Sequence, residues 1–417
     1  MPVRVNKWCE TTIAGLGRVV TGKTPPTANL ELFGDDYPFI TPTDINETHH
    51  TVQTERFLSE EGRTTQRNLL LPVDAVCFTC IGATIGKMCL TTAPSFTNQQ
   101  INSVIVDEIN HDARFVFHLL RHEAPRIKGL ASGAATPILN KTAFSEVKVK
   151  VPPLPVQCKI AAILCAYDDL IENNRRRIRV LEAMAQTLYR EWFVHFRFPS
   201  HASVPLVDSP LGKIPEGWLV TRLSNIADIN ASSILRTNQP EDINYIDIAS
   251  VSTGRIEEIQ PIAFADAPSR ARRIVKHGDI IWSTVRPNRR SYSLILRPVS
   301  NLIVSTGFAV VSAKDVPYSY LYYALTTDDF ANYLANRATG AAYPAVTAND
   351  FEEAEVLLPT DDVLRSFHRI VGDILDLKQN LIDKNNNLRQ TRDLLLPKLI
   401  SGELDVEHLG IKTSDEA

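Results

Sequence analysis

The strongest pattern along the chain is a pair of long apolar stripes. From Ile160, the positions Leu164, Tyr167, Ile171, Asn174, Ile178, Leu181, Ala185, Leu188 and Trp192 recur at alternating steps of four and three. Held over roughly four heptads, this spacing predicts a coiled-coil seam. A second series, Ile370, Ile374, Leu377, Leu381, Lys384, Leu388, Thr391 and Leu395, repeats it less purely. Pro152, Pro153 and Pro155 mark the start of the first helix, and Pro199 follows its end. Pro397 is expected to stop the second, because proline lacks the N–H that continues a helix. Asn174 and Lys384 interrupt the two seams with polar groups, which can fix register at a cost in stability.

Before each stripe the pattern is different. Short β-branched runs bounded by Gly, Pro and Asp come first, such as "VCFTCIGATIG" and "DIIWSTV". Helical stretches follow ("ARFVFHLLRHEAPRIKGLA", "YSYLYYALTTDDFANYLANRA"), and a strand-like piece closes each set ("EVKVKVPPL", "EAEVLLPT"). These two sets are copies. "ASGAATPILNKTAFSEVKVKVPP" (131–153) aligns without a gap on "ATGAAYPAVTANDFEEAEVLLPT" (338–360), matching Gly133 to Gly340, Pro137 to Pro344, Phe144 to Phe351 and Pro152 to Pro359. Upstream the offset drifts slightly, and "LPVDAVCFTC" meets "VKHGDIIWST". A period of about 207 residues is too long for a solenoid and marks a duplicated domain.

Connectivity sets the sense of the helix pairing. The first helix leads from the first domain to the second, and the second helix begins at the second domain, so paired helices must be antiparallel. The expected fold class is mixed α/β (α+β). Two similar globular domains are joined by two long helices in an antiparallel coiled coil, with a pseudo-twofold internal repeat. The expected segments are domain one at 1–153, a central spacer helix at 154–199, domain two at 200–359, a C-terminal spacer helix at 360–405 and a tail at 406–417. About 40 helical residues at ~1.5 Å each would make a rod of roughly 60 Å.

Composition excludes several classes. With 417 residues, 44% hydrophobic and 22% charged, the chain has the make-up of a soluble globular protein. No apolar run approaches the ~18 residues of a membrane span, and "MPVRVNKWCE" has no apolar signal region. The expectation is a cytoplasmic protein with no membrane partner. All six cysteines lie at or before Cys165, which suits reduced thiols better than a disulfide framework. The net charge of −4 gives no global sign of nucleic-acid binding, so any such contact must come from local patches or from partners.

Short motifs stand or fall on the chemistry they need. Gly17–Thr24 fits G-x-x-x-x-G-K-[ST], which would make Lys23 and Thr24 phosphate ligands of a P-loop NTPase. The interior is stiff and β-branched, however, and Pro25 and Pro26 remove two N–H donors just where a helix should open. "CFTC" (77–80) lacks an evident fourth zinc ligand and reads as buried thiols in a strand. The pair His49–His50 reads as an exposed loop, and no H-E-x-x-H or G-x-S-x-G occurs. No catalytic residue and no metal ligand is assigned. Basic clusters do stand out. Between 268 and 298, Arg270, Arg272, Arg273, Lys276, Arg286, Arg289, Arg290 and Arg297 face a single acidic residue, Asp279. Arg270, Arg272, Arg273, Arg286, Asn288, Arg289, Arg290 and Tyr343 are the candidate DNA contacts of domain two, having the groups that bind phosphates and base edges. Lys23, Thr24, Arg63, Arg67, Lys87, Asn98, Gln99, Gln100 and Lys128 are those of domain one. A scaffold that joins proteins through its helices and never touches DNA is the third reading.

The repeat, the two spacer helices and the local wording together resemble the specificity subunits of type I restriction–modification systems. The carrying segments are "VPPLPVQCKIAAILCAYDDLIENNRRRIRVLEAMAQTLYREWFVHF" (151–196), "LLLPKLISGELDV" (394–406) and "VTGKTPPT" (20–27). The last is similar to the opening loop of that family's target-recognition domains. Domain two departs from the pattern, with "ADINASSILRTNQPEDINYI" where that loop would stand. The resemblance implies a subunit without catalysis of its own. Each domain would read one half of a split double-stranded DNA site, and the rod would set the gap. Two methylation subunits would dock on the helices and bring S-adenosylmethionine. Restriction subunits would bring ATP and Mg, so this chain would hold no cofactor.

Overall fold

The computed structural model describes residues 8–45, 53–131, 136–235 and 237–412. Gly133 and the pair His49–His50 lie outside the described residues. The chain forms two compact units, Met1–Arg175 with Asp383–Ala417, and Arg176–Ile382. The division therefore falls inside both long helices.

Unit 1 holds two four-stranded sheets. The first runs Gly17–Thr21, Ile101–Val106, Val76–Thr79, Met88–Leu90, all antiparallel. The second runs Phe33–Gly34, Phe57–Leu58, Tyr37–Ile40, Phe96–Thr97, and its last pair is parallel. Unit 2 repeats the plan. Its antiparallel sheet runs Ala227–Ile229, Phe308–Ala313, Ile280–Ser283, Tyr292–Leu294. Its second sheet runs Gln260–Ala263, Asp242–Ile246, Leu302–Ser305, Ala271–Ile274, with the middle pair parallel. The closing strands also correspond, since Cys9–Thr12 pairs with Lys148–Val151 as Leu219–Arg222 pairs with Glu355–Leu358. The duplication read from sequence thus recurs in the antiparallel sheets and the closing strands, while the second sheets share a parallel pair but differ in where their remaining strand is added.

Period-two alternation explains the inner strands. Val76 and Phe78 enter one apolar cluster while Cys77 enters another. Ile280 and Trp282 do the same against Ile281. Trp282 is fully buried and satisfies its indole by donating to Leu325 O at 2.9 Å.

The helices Leu154–Tyr189 and Asp361–Ile400 each contribute to both units. In unit 1, Ile160, Ala161 and Leu164 pack in the same core as Leu396, Leu399 and Ile400. In unit 2, Ala185, Trp192 and Phe193 share a core with Leu364, Phe367, Val371 and Leu375. Within each unit the two segments run antiparallel. In unit 1, Asp168 pairs with Arg392, and further along Asn174 Nδ2 donates to Asn385 Oδ1 at 2.9 Å. In unit 2, Lys378 meets Glu182 at 2.7 Å, and Tyr189 lies against Phe367. No helix among the described residues is long and apolar enough to cross a membrane.

Two sequence expectations meet a different outcome here. Pro397 does not stop its helix, which continues to Ile400. In a last turn proline costs one backbone hydrogen bond, and the burial of Leu396, Leu399 and Ile400 holds the turn in place. The second seam holds only in part. Leu381 is buried as expected, but Ile370 and Leu377 are exposed, at 41% and 40%, and Lys384 is exposed too, while the neighbouring Val371, Leu375 and Asn385 are buried. Ile374, Leu388 and Leu395 are half-buried. On the first helix Ile160, Leu164, Ile171 and Asn174 are buried, and Tyr167, Ile178, Leu181 and Leu188 are half-buried.

The polar pairs on the helices give a stability test. Asn174→Leu leaves the buried Asn385 amide short of its partner and should cost about 1–3 kcal/mol, whereas Asn174→Leu with Asn385→Leu should be near neutral. Arg392→Ala strands the buried Asp168 carboxylate and should cost about 3–5 kcal/mol. Urea unfolding of the three variants reads all of these.

Candidate nucleic-acid interface

In unit 2 four loops meet at the end of the strand Ile280–Ser283. Backbone groups that leave the sheet there are satisfied by neighbouring loops, as buried polar backbone requires. Thr284 donates through N–H and Oγ1 to Gly307 O, at 2.8 and 2.9 Å. Thr306 N–H donates to Arg270 O at 2.8 Å, and Val346 N–H to Thr284 O at 2.9 Å. Arg286 N–H donates to Pro344 O at 2.7 Å, beside a bridge between Val285 and Ala345.

This frame gathers the predicted arginines and separates their roles. Arg286 has a left-handed backbone, φ +50°, and its guanidinium lies 4.6 Å over the Tyr343 ring while donating to Ala342 O at 3.1 Å. A left-handed non-glycine residue costs of order 1–3 kcal/mol, so the surrounding hydrogen bonds must impose it. Arg290, φ +54°, is ion-paired with Asp328. Asn288 and Arg289 are exposed on the single turn Pro287–Arg289. Tyr343 is 68% exposed. Arg270 is exposed beside the Ser305–Gly307 turn, and Arg272 stacks on Phe264 at 4.9 Å. Arg273 is half-buried, and its Nε has no hydrogen-bond partner among the described residues.

In unit 1 the corresponding edge is polar and less charged. Lys23 N–H donates to Thr97 O at 2.9 Å, Thr24 Oγ1 to Gln99 Oε1 at 2.8 Å, and Gln100 N–H to Asn98 Oδ1 at 3.0 Å. Lys23, Thr24, Asn98, Gln99 and Gln100 therefore come together. Lys87 ends the turn between the strands Val76–Thr79 and Met88–Leu90. Arg63 and Arg67 belong to a separate segment, where Arg63 lies over Tyr37 and pairs with Glu60. Lys128 ends the helix Ala113–Lys128 and is exposed.

The phosphate-loop spelling has a different cause. Gly17–Thr21 is a β-strand, and no helix opens at Lys23. A Cβ on Gly22 would stand 2.2 Å from Thr97 O, so glycine is needed for close approach of two chain segments. Cys77, Cys80 and Cys89 are buried free thiols, and Cys77 faces Cys89 across two strands. Among the described residues, the single group of three side chains with metal-ligand spacing, Asp405, Glu407 and His408, includes no cysteine.

Residues 6–183 match the type I restriction modification DNA specificity domain. The MjaIX specificity subunit of Methanocaldococcus jannaschii, a type I restriction enzyme subunit, is 25% identical over 418 residues, covering 96% of this chain and 94% of its own. The HindI specificity subunit of Haemophilus influenzae is 35% identical over 176 residues, covering 40% of this chain and 38% of its own. This chain is thus similar to that domain over residues 6–183, and over nearly its whole length to a type I restriction enzyme specificity subunit. The fold agrees, since the S subunit crystal structure from M. genitalium superposes with a TM-score of 0.61 at 16% identity, over 95% of this chain and 97% of that one.

Two features of the edge escaped sequence reading. Asp328 neutralises an arginine 38 residues away, and nothing local signals that pairing. The left-handed backbone at Arg286 was equally hidden, although its repeat counterpart is a glycine, Gly82. The thiols offer a direct check. Burial pushes the Cys80 thiol up to about 11, and the hydrogen bond to Cys77 together with burial raises Cys89. At pH 8 thiol reagents should leave Cys77, Cys80 and Cys89 unmodified in the native protein and label them on unfolding, as mass spectrometry would show.

Proposed function

We propose that this chain is the DNA sequence-specificity subunit of a type I restriction–modification complex, each unit reading one half of a bipartite, asymmetric site. The observation that supports it most is the doubled topology with diverged edges. The same antiparallel sheet, a second sheet with a parallel pair and three matching loop-closing hydrogen bonds occur in both units, yet one edge presents Arg286, Asn288, Arg289 and Tyr343 and the other Lys23, Thr24, Asn98 and Gln99. A frame kept while its exposed polar residues change suits two readers of two different half-sites.

In this reading the two long helices set the gap between half-sites and dock two methylation subunits. Those partners bring S-adenosylmethionine, and restriction subunits bring ATP and Mg, so the chain itself performs no chemistry. Its net charge of −4 fits a reader whose partners share the phosphate contacts.

Lengthening both helices by one heptad should change the spacing of the recognised site and leave both half-sites unaltered, as read by mapping methylated positions in a host carrying the complex. Altered half-sites would contradict the reading. Arg289→Ala should flatten the salt dependence of DNA binding by about one unit of slope. Arg290→Ala should flatten it less, because Asp328 already neutralises that charge. Binding titrations against salt decide both.

A further inference from the structure

We infer that Arg286, aimed by Tyr343, is where unit 2 selects a base by reading a guanine edge; the pair at the same place in unit 1, Gly82 with Thr136, is the comparison. The inference rests on the DNA-reading function proposed above.

The two pairs occupy the same place in the duplicated frame. Gly82 N–H donates to Pro137 O at 2.8 Å, as Arg286 N–H donates to Pro344 O at 2.7 Å. The preceding residues bridge alike, Ile81 to Ile138 and Val285 to Ala345. Both positions are left-handed, with φ of +67° at Gly82 and +50° at Arg286. Thr136 and Tyr343 each stand immediately before the accepting proline. A Cβ on Gly82 would meet Thr136 Cγ2 at 3.9 Å, so a side chain placed there would point at residue 136, as Arg286 lies on Tyr343.

The contrast carries the argument. The frame demands a left-handed residue, and glycine supplies it without strain in unit 1. Unit 2 holds an arginine there although that conformation disfavours it. Packing does not require the arginine, for its side chain is only partly buried and lies along an exposed ring. What the position gains is a guanidinium aimed by Tyr343 and by Ala342 O. That contact to Ala342 O uses one Nη2 hydrogen, and the rest of the fork can present two parallel donors, the geometry that matches O6 and N7 of guanine. Tyr343 is a positioning residue, since it holds the guanidinium plane. Arg290 is turned onto Asp328 and Arg289 stands on an exposed turn, so neither guanidinium is held by a ring and a carbonyl as that of Arg286 is.

The test is selection from a randomised duplex pool by the full chain, alone and with its methylation subunits, followed by sequencing. Arg286→Gly and Tyr343→Ala should lose the guanine preference at one position of one half-site by about tenfold or more, and leave the other half-site intact. Tyr343→Phe, which keeps the ring face, should retain the preference. Arg286→Gly suits the left-handed backbone, so its unfolding midpoint should not fall, which separates lost reading from lost folding. Selection of an unchanged motif by both Arg286→Gly and Tyr343→Ala would overturn the inference and leave the DNA-reading function standing. If the wild-type chain enriches no motif in either setting, that function fails and the inference with it.

Discussion

Each long helix carries an apolar stripe that cannot be left in water, and neither unit has a complete core without it. Ile160 and Leu164 fill unit 1 beside Leu396 and Leu399, and Trp192 and Phe193 fill unit 2 beside Phe367 and Val371. Burial at ~25 cal/mol per Å² of apolar surface makes this the strongest attraction holding helix to domain. It says little about register, because apolar side chains tolerate sliding. The buried pairs Asn174–Asn385 and Asp168–Arg392 supply what burial lacks. A shift of one residue would leave an amide or a charge buried and unpaired, and that penalty exceeds anything the pairs contribute as bonds.

The domain frame follows a similar division of labour. Strand ends must satisfy their backbone groups, and both units do so with three matching cross-loop hydrogen bonds. Once the backbone is held this way, the side chains at the edge are free to differ. Gly82 and Arg286 show how far that freedom extends, since the frame enforces a left-handed residue whether or not the side chain prefers it. Strain at Arg286 is tolerable because the strand before it is buried and paired on both sides, and its own N–H is bound to Pro344 O.

Much of this was legible in the sequence, and the failures have physical causes. The duplication was readable because Pro137, Phe144 and their partners Pro344 and Phe351 keep an ungapped register. The first helix was readable because Ile160, Leu164, Ile171 and Ala185 keep its apolar stripe, even though Asp168, Asn174 and Arg175 are buried among them. The second was harder, since Ile370, Leu377 and Lys384 form an outward series with the same spacing as a seam, while true inward positions include the polar Asn385 and Arg392. Hydropathy cannot recognise an inward arginine without knowing that Asp168 faces it. The edge was legible only as composition. Which arginine is aimed, which is neutralised and which is free depends on Tyr343 and Asp328, both distant in sequence.

Those differences among the arginines bear on how an acidic chain could read DNA at all. Affinity for a duplex comes mostly from neutralised phosphates, whereas selectivity comes from oriented donors at base edges. Unit 2 places an aspartate on one of its arginines and a tyrosine under another, so part of the edge's positive charge is given up and part is made directional. An edge built for affinity would leave every guanidinium unpaired. A weakly charged but oriented edge keeps non-specific binding low, and a mismatched base is then penalised by an unsatisfied donor that no surplus of phosphate attraction hides. If the chain reads DNA as proposed, the strength of attachment would then come from protein surfaces other than this edge, the arrangement expected of a reader that works inside a larger assembly.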